Sequence, residues 1–323
     1  MKIRKLQDTG VVDAYIGSKN TYYGDPEKQI LVSKKSNVEK YVKKIAFSKK
    51  KKKDKEGYKA IAKHDSVLEH SYLSFAVVGI SRLAVEYLEH HRYLSYTETS
   101  FRKKRKIKYS EYSGREYPDV KICDEFPFEE FRHELSVALQ TNVIVSGNYR
   151  EFCLVCSHLI KSDLPEARDL GKEFYKPIME KFGDIIEPIK DWNPYSPIPN
   201  RNFFSKIDEL PSLAGDRGME TKVFYIIDKL STVAIAQLRR HRVGSLFVED
   251  IRASRTKKDR MNITYTQGSL SNRYDYPLGS FRRFAWVING RSLNNFLEQR
   301  CSKKAQKEIR DFAFKIAEQV KES

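Results

Sequence analysis

HDSVLEHSYLSFAVVGISRLAVEYLEHHRYLSYTETSFR, His64 to Arg102, is the stretch on which the reading of this chain turns. Between Val67 and Arg92 it has no proline and one glycine, Gly79, in an apolar body that ends in charge. That composition predicts a long buried helix. Its C-terminal end delivers a crowd of polar groups: His90, His91, Arg92, Ser95, Thr97, Glu98, Ser100 and Arg102. Basic residues complement the carbonyl end of a helix dipole, which accounts for His90 to Arg92. It does not account for Glu98, Ser100 and Arg102, whose alternate spacing puts all three on one face of an extended segment.

Working outward, the pattern recurs. KVFYIIDKLSTVAIAQLRRHR, Lys222 to Arg242, reads as a second apolar helix ending in a basic cluster, with Gln237 ahead of Arg240, His241 and Arg242 and with Ser245, Asp250 and Arg252 downstream. His90-His91-Arg92 answers Arg240-His241-Arg242; Asn148-Tyr149-Arg150 answers Asn289-Gly290-Arg291; Arg132 precedes Asn148 by the same interval as Arg273 precedes Asn289. Three matches in one order predict an internal tandem repeat. DWNPYSPIPN, 191–200, is the best linker in the chain. The expected domains are therefore 1–190, carrying a basic loop near 43–55, and 201–323, joined by the proline-rich 191–200.

Between these landmarks the expected elements are strands over 10–16 and 29–33, a short helix over 124–135, and a strand or buried helix start over 137–146. Helices are expected over 150–160 and 164–182, and an amphipathic last helix over 302–320 with Ser302 as its N-cap. Cys153 and Cys156 make a lone C-x-x-C in an apolar segment; with no second pair at zinc spacing they read as small core residues, and no metal site is expected.

The formal net charge is +17, which predicts attraction to anions such as nucleotides and phosphates. Nucleic acid would also be attracted, but no recognition motif for it is present. No apolar run is long enough to span a bilayer, the opening MKIRKLQDTGVV lacks a signal-peptide core, and cytoplasmic location is the expectation. No glycine-rich phosphate loop occurs, which excludes a Rossmann or P-loop route to a nucleotide.

The stretch resembles the signature region of the flavin-dependent thymidylate synthases, the ThyX family. That signature is Arg-His-Arg, seven residues, then Ser, after an opening His-x-Ser-x-x-Glu-His and a Ser-Arg. Here stand His64, Ser66, Glu69 and His70, then Ser81-Arg82, then His90-His91-Arg92 and, seven residues on, Ser100. The C-terminal block is similar too: Arg273 and Pro277, then Asn289, Arg291, Ser292, Leu293, Asn295 and Arg300, then Ala305-Gln306-x-Glu308-Ile309.

The resemblance implies an α+β fold of two tandem ThyX-like domains, each with helices on a small antiparallel sheet; residue patterns alone say helix-rich with short strands. It implies an FAD-dependent methyltransferase that converts dUMP to dTMP, with methylenetetrahydrofolate and NADPH as co-substrates. It implies that Gln237, Arg240, Glu98, Ser100, Arg102, Arg273 and Arg300 bind dUMP. Arg300 would face the pyrimidine N3 as the catalytic guanidinium. Ser66, His91, Arg92, Glu98, Arg240, His241, Arg242, Asn289, Arg291 and Asn295 would hold FAD. A homodimer forming a pseudo-tetramer is implied as well.

The departures are complementary. The second half has Val248 and Asp250 where the family has Glu and the signature Ser; the first keeps Glu98, Ser100 and Arg102. The first half has Tyr87, His90 and Leu159 where the second keeps Gln237, Arg240 and Arg300. Composite sites drawing on both halves are one reading. The other is a ThyX-like flavin- or nucleotide-binding protein that has lost methyl transfer.

Overall fold

The computed structural model describes residues 1–9, 43, 65–99, 107–117, 132–184, 186, 188–189, 192–199, 201–207, 222–241, 243–253 and 272–322. The strands expected over 10–16 and 29–33, nearly all of the basic loop, and Ser100, Arg102 and Arg242 lie outside these residues. The chain divides into two compact units. The first is Met1–Phe101, Ser110–Tyr112 and Gln140–Asn193; the second is Arg102–Tyr109, Ser113–Leu139 and Pro194–Ser323.

Each unit is an antiparallel four-stranded sheet with helices, so the fold class is α+β. The first contains β1 (Lys2–Asp8), β2 (Tyr72–Ser81), α1 (Arg82–Glu89), β3 (Ser95–Glu98), β4 (Gln140–Asn148), α2 (Tyr149–Leu159) and α3 (Pro165–Phe182), with strand order β1-β2-β4-β3. The second contains β5 (Phe203–Ile207), β6 (Val223–Ser231), α4 (Thr232–Leu238), β7 (Ser245–Val248), β8 (Phe281–Asn289), α5 (Gly290–Arg300) and α6 (Lys307–Glu322), with strand order β5-β6-β8-β7. Element order and sheet order are the same in both.

The two long helices expected from the apolar runs are each a strand followed by a short helix. Tyr72–Ser81 is the second strand of its sheet, paired with β1 and β4, and only Arg82–Glu89 is helical. Val223–Ser231 likewise pairs with β5 and β8 ahead of Thr232–Leu238. The alternation was present in the residues: Leu73, Phe75 and Val77 are buried in β2, and Phe224, Ile226 and Leu230 in β6. Apolar residues on the opposite face, Ala76 and Val78 in β2 and Tyr225 and Ile227 in β6, hid the period of two. Gly79 sits at φ 74° where the β2–β4 register shifts, a backbone conformation that a side chain would strain.

Of the other expectations, 137–146 resolves as strand β4, and the helices over 150–160 and 164–182 appear as α2 and α3. Residues 132–135 form a turn rather than the end of a helix, while 124–131 lie outside the described residues. The last helix starts at Lys307. Ser302 Oγ accepts from the Lys304 N–H inside a preceding turn, and Gln306 Oε1 takes the Ile309 N–H in the capping role.

Each core is an aromatic cluster between sheet and helices. Phe75 of β2 lies 5.3 Å from Phe152 of α2 and 4.6 Å from Phe174 of α3. In the second unit Phe284 of β8 lies 5.6 Å from Phe312 of α6, and Trp286 lies 5.1 Å from Phe296 of α5. Each fully buried ring contributes roughly 1.5–3 kcal/mol of hydrophobic stabilisation.

The strand-to-helix switch is made by the same device twice. Ser81 and Ser231 hold extended backbone and cap α1 and α4 by accepting from the N–H of Ala84 and Ala234. A glutamate from the third helix takes both the N–H and the hydroxyl of each serine: Glu166 for Ser81, Glu308 for Ser231. Glu166 also accepts from the Ser110 hydroxyl.

Within the second unit, residues 132–139 meet 272–279. The Val137 N–H donates to the Tyr276 carbonyl at 2.9 Å and the Leu278 N–H to the Leu135 carbonyl at 2.7 Å, around a bridge between Ser136 and Pro277. In the correspondence that matches Arg132 with Arg273, Leu135 answers Tyr276 and Val137 answers Leu278. The pairing therefore exchanges like positions, as an isologous contact does.

Glu166 is fully buried and takes the Ser110 hydroxyl as well as both donors of its serine, whereas Glu308 is half-buried. Glu166→Ala should destabilise the fold by about 3 kcal/mol and Glu308→Ala by roughly half that, because the orphaned donors of the first are farther from water. Urea midpoints at constant slope measure this; equal losses would contradict the burial argument.

Candidate active site

In the second unit, α4 ends at Leu238 and the chain turns through Arg239, Arg240 and His241, where the His241 N–H bonds the Leu238 carbonyl. This brings His241 against α5. Arg300, the last residue of α5, donates from Nε to His241 Nε2 at 2.9 Å and from a terminal nitrogen to Gln237 Oε1 at 3.4 Å. Phe296, one turn earlier, packs edge-on against the imidazole at 4.9 Å. Three residues expected at the site, Gln237, His241 and Arg300, thus form one bonded group. A guanidinium gripped on two sides is oriented before any ligand arrives, which is what stabilising a charge on a heterocycle requires.

His241 can accept from Arg300 only as the neutral ring carrying its proton on Nδ1. Its surroundings enforce this: burial, then the guanidinium charges of Arg300 and Arg240, push its pKa down to about 4. Arg240 itself is exposed.

Other expected residues of this unit lie on α5 and around Asp250. Asn289 caps α5, its Oδ1 accepting the Ser292 N–H at 2.9 Å. Arg291 and Asn295, four apart, share one exposed side of that helix, and Asn295 Oδ1 accepts from Gln299. Asp250 is gripped by Arg252 at 2.8 Å, with a second bond at 3.2 Å, and Arg273 approaches the same carboxylate at 3.7 Å.

The first unit treats the corresponding positions differently. His91 is buried, with Nδ1 3.7 Å from Glu151, and stacks on Trp192 at 5.5 Å. His158 stacks on the same indole at 4.7 Å and 7°. Burial and the neighbouring His91 push the His158 pKa down to about 4. Tyr87, in the place of Gln237, donates its hydroxyl to Asp163 at 3.0 Å. Glu98, on the edge strand β3, forms a buried ion pair with Arg82. Burial disfavours that guanidinium charge, but Glu98, Glu89 and Glu86 outweigh it and hold the Arg82 pKa above its ordinary value. Arg92 is exposed beside the Tyr93 ring, and Ser66 is exposed in the turn Asp65–His70.

The residues that sequence reasoning passed over are Arg82, Glu166, Glu308, Glu151 and Trp192. Ser81-Arg82 and Glu308 were visible as motif members, but their partners lie far off in sequence. Trp192 lies within the stretch read as a linker.

The chain matches the family model described as "Thymidylate synthase complementing protein" over residues 21–182 and 270–323. It is 35% identical over 106 residues to a flavin-dependent thymidylate synthase of Sulfolobus acidocaldarius, covering 27% of this chain and 41% of the relative. It is 48% identical over 46 residues to one of Thermosipho melanesiensis, covering 14% of this chain and 20% of the relative. The chain thus spans well under half the length of these curated relatives. Among solved structures it is similar to ThyX from Helicobacter pylori with FAD and dUMP: 16% identity, TM-score 0.40, 57% of this chain and 99% of that one.

The Arg300–His241 bond gives a pH signature. An unfolded chain takes up a proton on histidine near 6.5, and the folded ring resists until about 4. Stability from this site is therefore complete above pH about 6.5 and declines as pH falls towards about 4. NMR titration of the His241 imidazole should give a midpoint near 4. Arg300→Ala should raise it only part of the way to the ordinary value, since burial is the larger cause.

Proposed function

The chain belongs to the ThyX family, matched over more than half its length, and we propose that it is itself a flavin-dependent thymidylate synthase methylating dUMP to dTMP. The observation that carries this is the Gln237–Arg300–His241 group: a guanidinium fixed by two neutral acceptors. Facing N3 of a uracil, Arg300 would favour the deprotonated ring and make C5 nucleophilic. Arg240 and Arg273, with Glu98, Ser100 and Arg102 of the other half, would complete the dUMP contacts.

The second unit's donor set fits an anionic flavin cofactor. Arg240 and Arg291 are exposed guanidinium groups, and Asn289 and Asn295 present amides along the same helix as Arg291. Arg242, Ser66, Arg92 and Glu98 would add to it, with His241 held as a neutral ring. Bound there, FAD would supply the hydride, with NADPH as its reductant and methylenetetrahydrofolate as the carbon donor. The residues bind, orient and polarise. In the first unit His91 is committed to Glu151 and Trp192, which leaves Ser66, Arg92 and Glu98, the last paired with Arg82, as the contributions from that side.

Two tandem ThyX-like domains, 1–190 and 201–323, would then make one kind of composite site, and a pair of chains a pseudo-tetramer. The like-with-like pairing of 135–137 with 276–278 within the second unit supports the duplication on which this rests.

One observation favours the second reading, a flavin- or nucleotide-binding protein without methyl transfer. Asp250 stands in the place of the signature serine, and its carboxylate draws Arg252 and Arg273, the latter a dUMP contact in the first reading. Turnover of dUMP with NADPH and methylenetetrahydrofolate decides between them.

Arg300→Ala should lower turnover by about 100-fold or more while flavin stays bound, the scale expected for losing one preorganised charge-stabilising donor. Arg150→Ala removes an exposed pair with Glu69 and should change turnover little. Equal losses would defeat the division of duties between the halves.

A further inference from the structure

Aligned at Ser81 and Ser231, the two units place Tyr87, His90 and His91 where Gln237, Arg240 and His241 stand. Aligned at the helix caps Asn148 and Asn289, they place Val155, His158 and Leu159 where Phe296, Gln299 and Arg300 stand. Two large side chains of the second unit, Phe296 and Arg300, are thus the smaller Val155 and Leu159 in the first. At these same ends of α1 and α2 stands Trp192. Its indole stacks on His158 and His91 and meets Tyr87 at 6.0 Å and His90 at 6.5 Å edge-on. Three of these four neighbours hold the positions read as nucleotide or flavin contacts in the second unit.

Simple core filling does not explain the polarity of the walls. His91 Nε2 and His158 Nδ1 are buried with no hydrogen-bond partner among the described residues, and an indole has a single N–H to offer. Buried imidazole nitrogens without partners are costly. They suit a pocket whose proper guest is a planar heterocycle with a polar edge. Trp192 is only half-buried and lies on a proline-rich connection, so the chain can supply it without disturbing the sheet or helices.

We propose that Trp192 is a built-in occupant of a ring-binding pocket in the first unit, leaving the composite site built around the second unit as the one flavin site of this chain. The inference rests on the reading under Proposed function and adds to it the number of sites and the residue that sets it. The complementary replacements at Tyr87 and Leu159 then have a physical counterpart: the spent site is closed from within rather than left as a cavity.

Flavin bound per full-length chain, measured by absorbance after saturation with FAD and desalting, tests this. Wild type and Trp192→Phe, which keeps a ring in the stack, should hold one equivalent; Trp192→Ala should take up a second. Trp192→Leu carries the same readout if the alanine variant does not fold. A wild type that already holds two equivalents overturns the proposal, as does a folded Trp192→Ala or Trp192→Leu that stays at one. A wild type that takes up neither FAD nor dUMP defeats the flavin reading itself, a different result from a wild type fixed at one.

Discussion

Both units depend on one contact: a glutamate on the third helix holding the serine at which a strand becomes a helix. Backbone leaving a sheet and entering a helix has donors that neither ladder satisfies. Ser81 and Ser231 fill one such need by capping, and Glu166 and Glu308 fill the serine's own. The contact fixes where the short helix begins, and so where it ends. That end is where Tyr87 to His91 and Gln237 to His241 are presented. A shift of one residue at the serine would turn those side chains by about 100° around the helix.

On that shared scaffold the two ends have diverged in chemistry. One carries a hydrogen-bonded group of Gln237, Arg300 and His241, in which burial, helped by the neighbouring guanidinium, holds the imidazole neutral. The other carries an aromatic stack of His91, Trp192 and His158, in which burial does the same to His158. Both arrangements disfavour imidazole charge, on His241 in the first and on His158 in the second. The buried Arg82–Glu98 pair shows a third use of charge. Removing either partner would leave the other uncompensated, so it holds the edge strand β3 against α1 more firmly than a surface pair could.

What the residues determined by themselves was the chemistry and its order along the chain. Arg300, Gln237 and His241 were legible as candidates because their types and spacing resemble a family motif, and the likeness between the halves was legible because three groups recur in one sequence order. Helices α2 and α3 were legible because their apolar spacing is helical. Strands β2 and β6 were not, because apolar residues on both faces erase the alternation that marks a strand, and only pairing with neighbours on either side makes them one. Tertiary structure alone decided that Glu166 meets Ser81, that Arg82 neutralises Glu98, and that a tryptophan in an apparent linker lies against two adjoining histidines. The reason is physical. Local order follows from short-range sterics and hydrogen bonds that the sequence displays. Burial and long-range partners depend on which surfaces meet, and that is set by the packing of the whole chain.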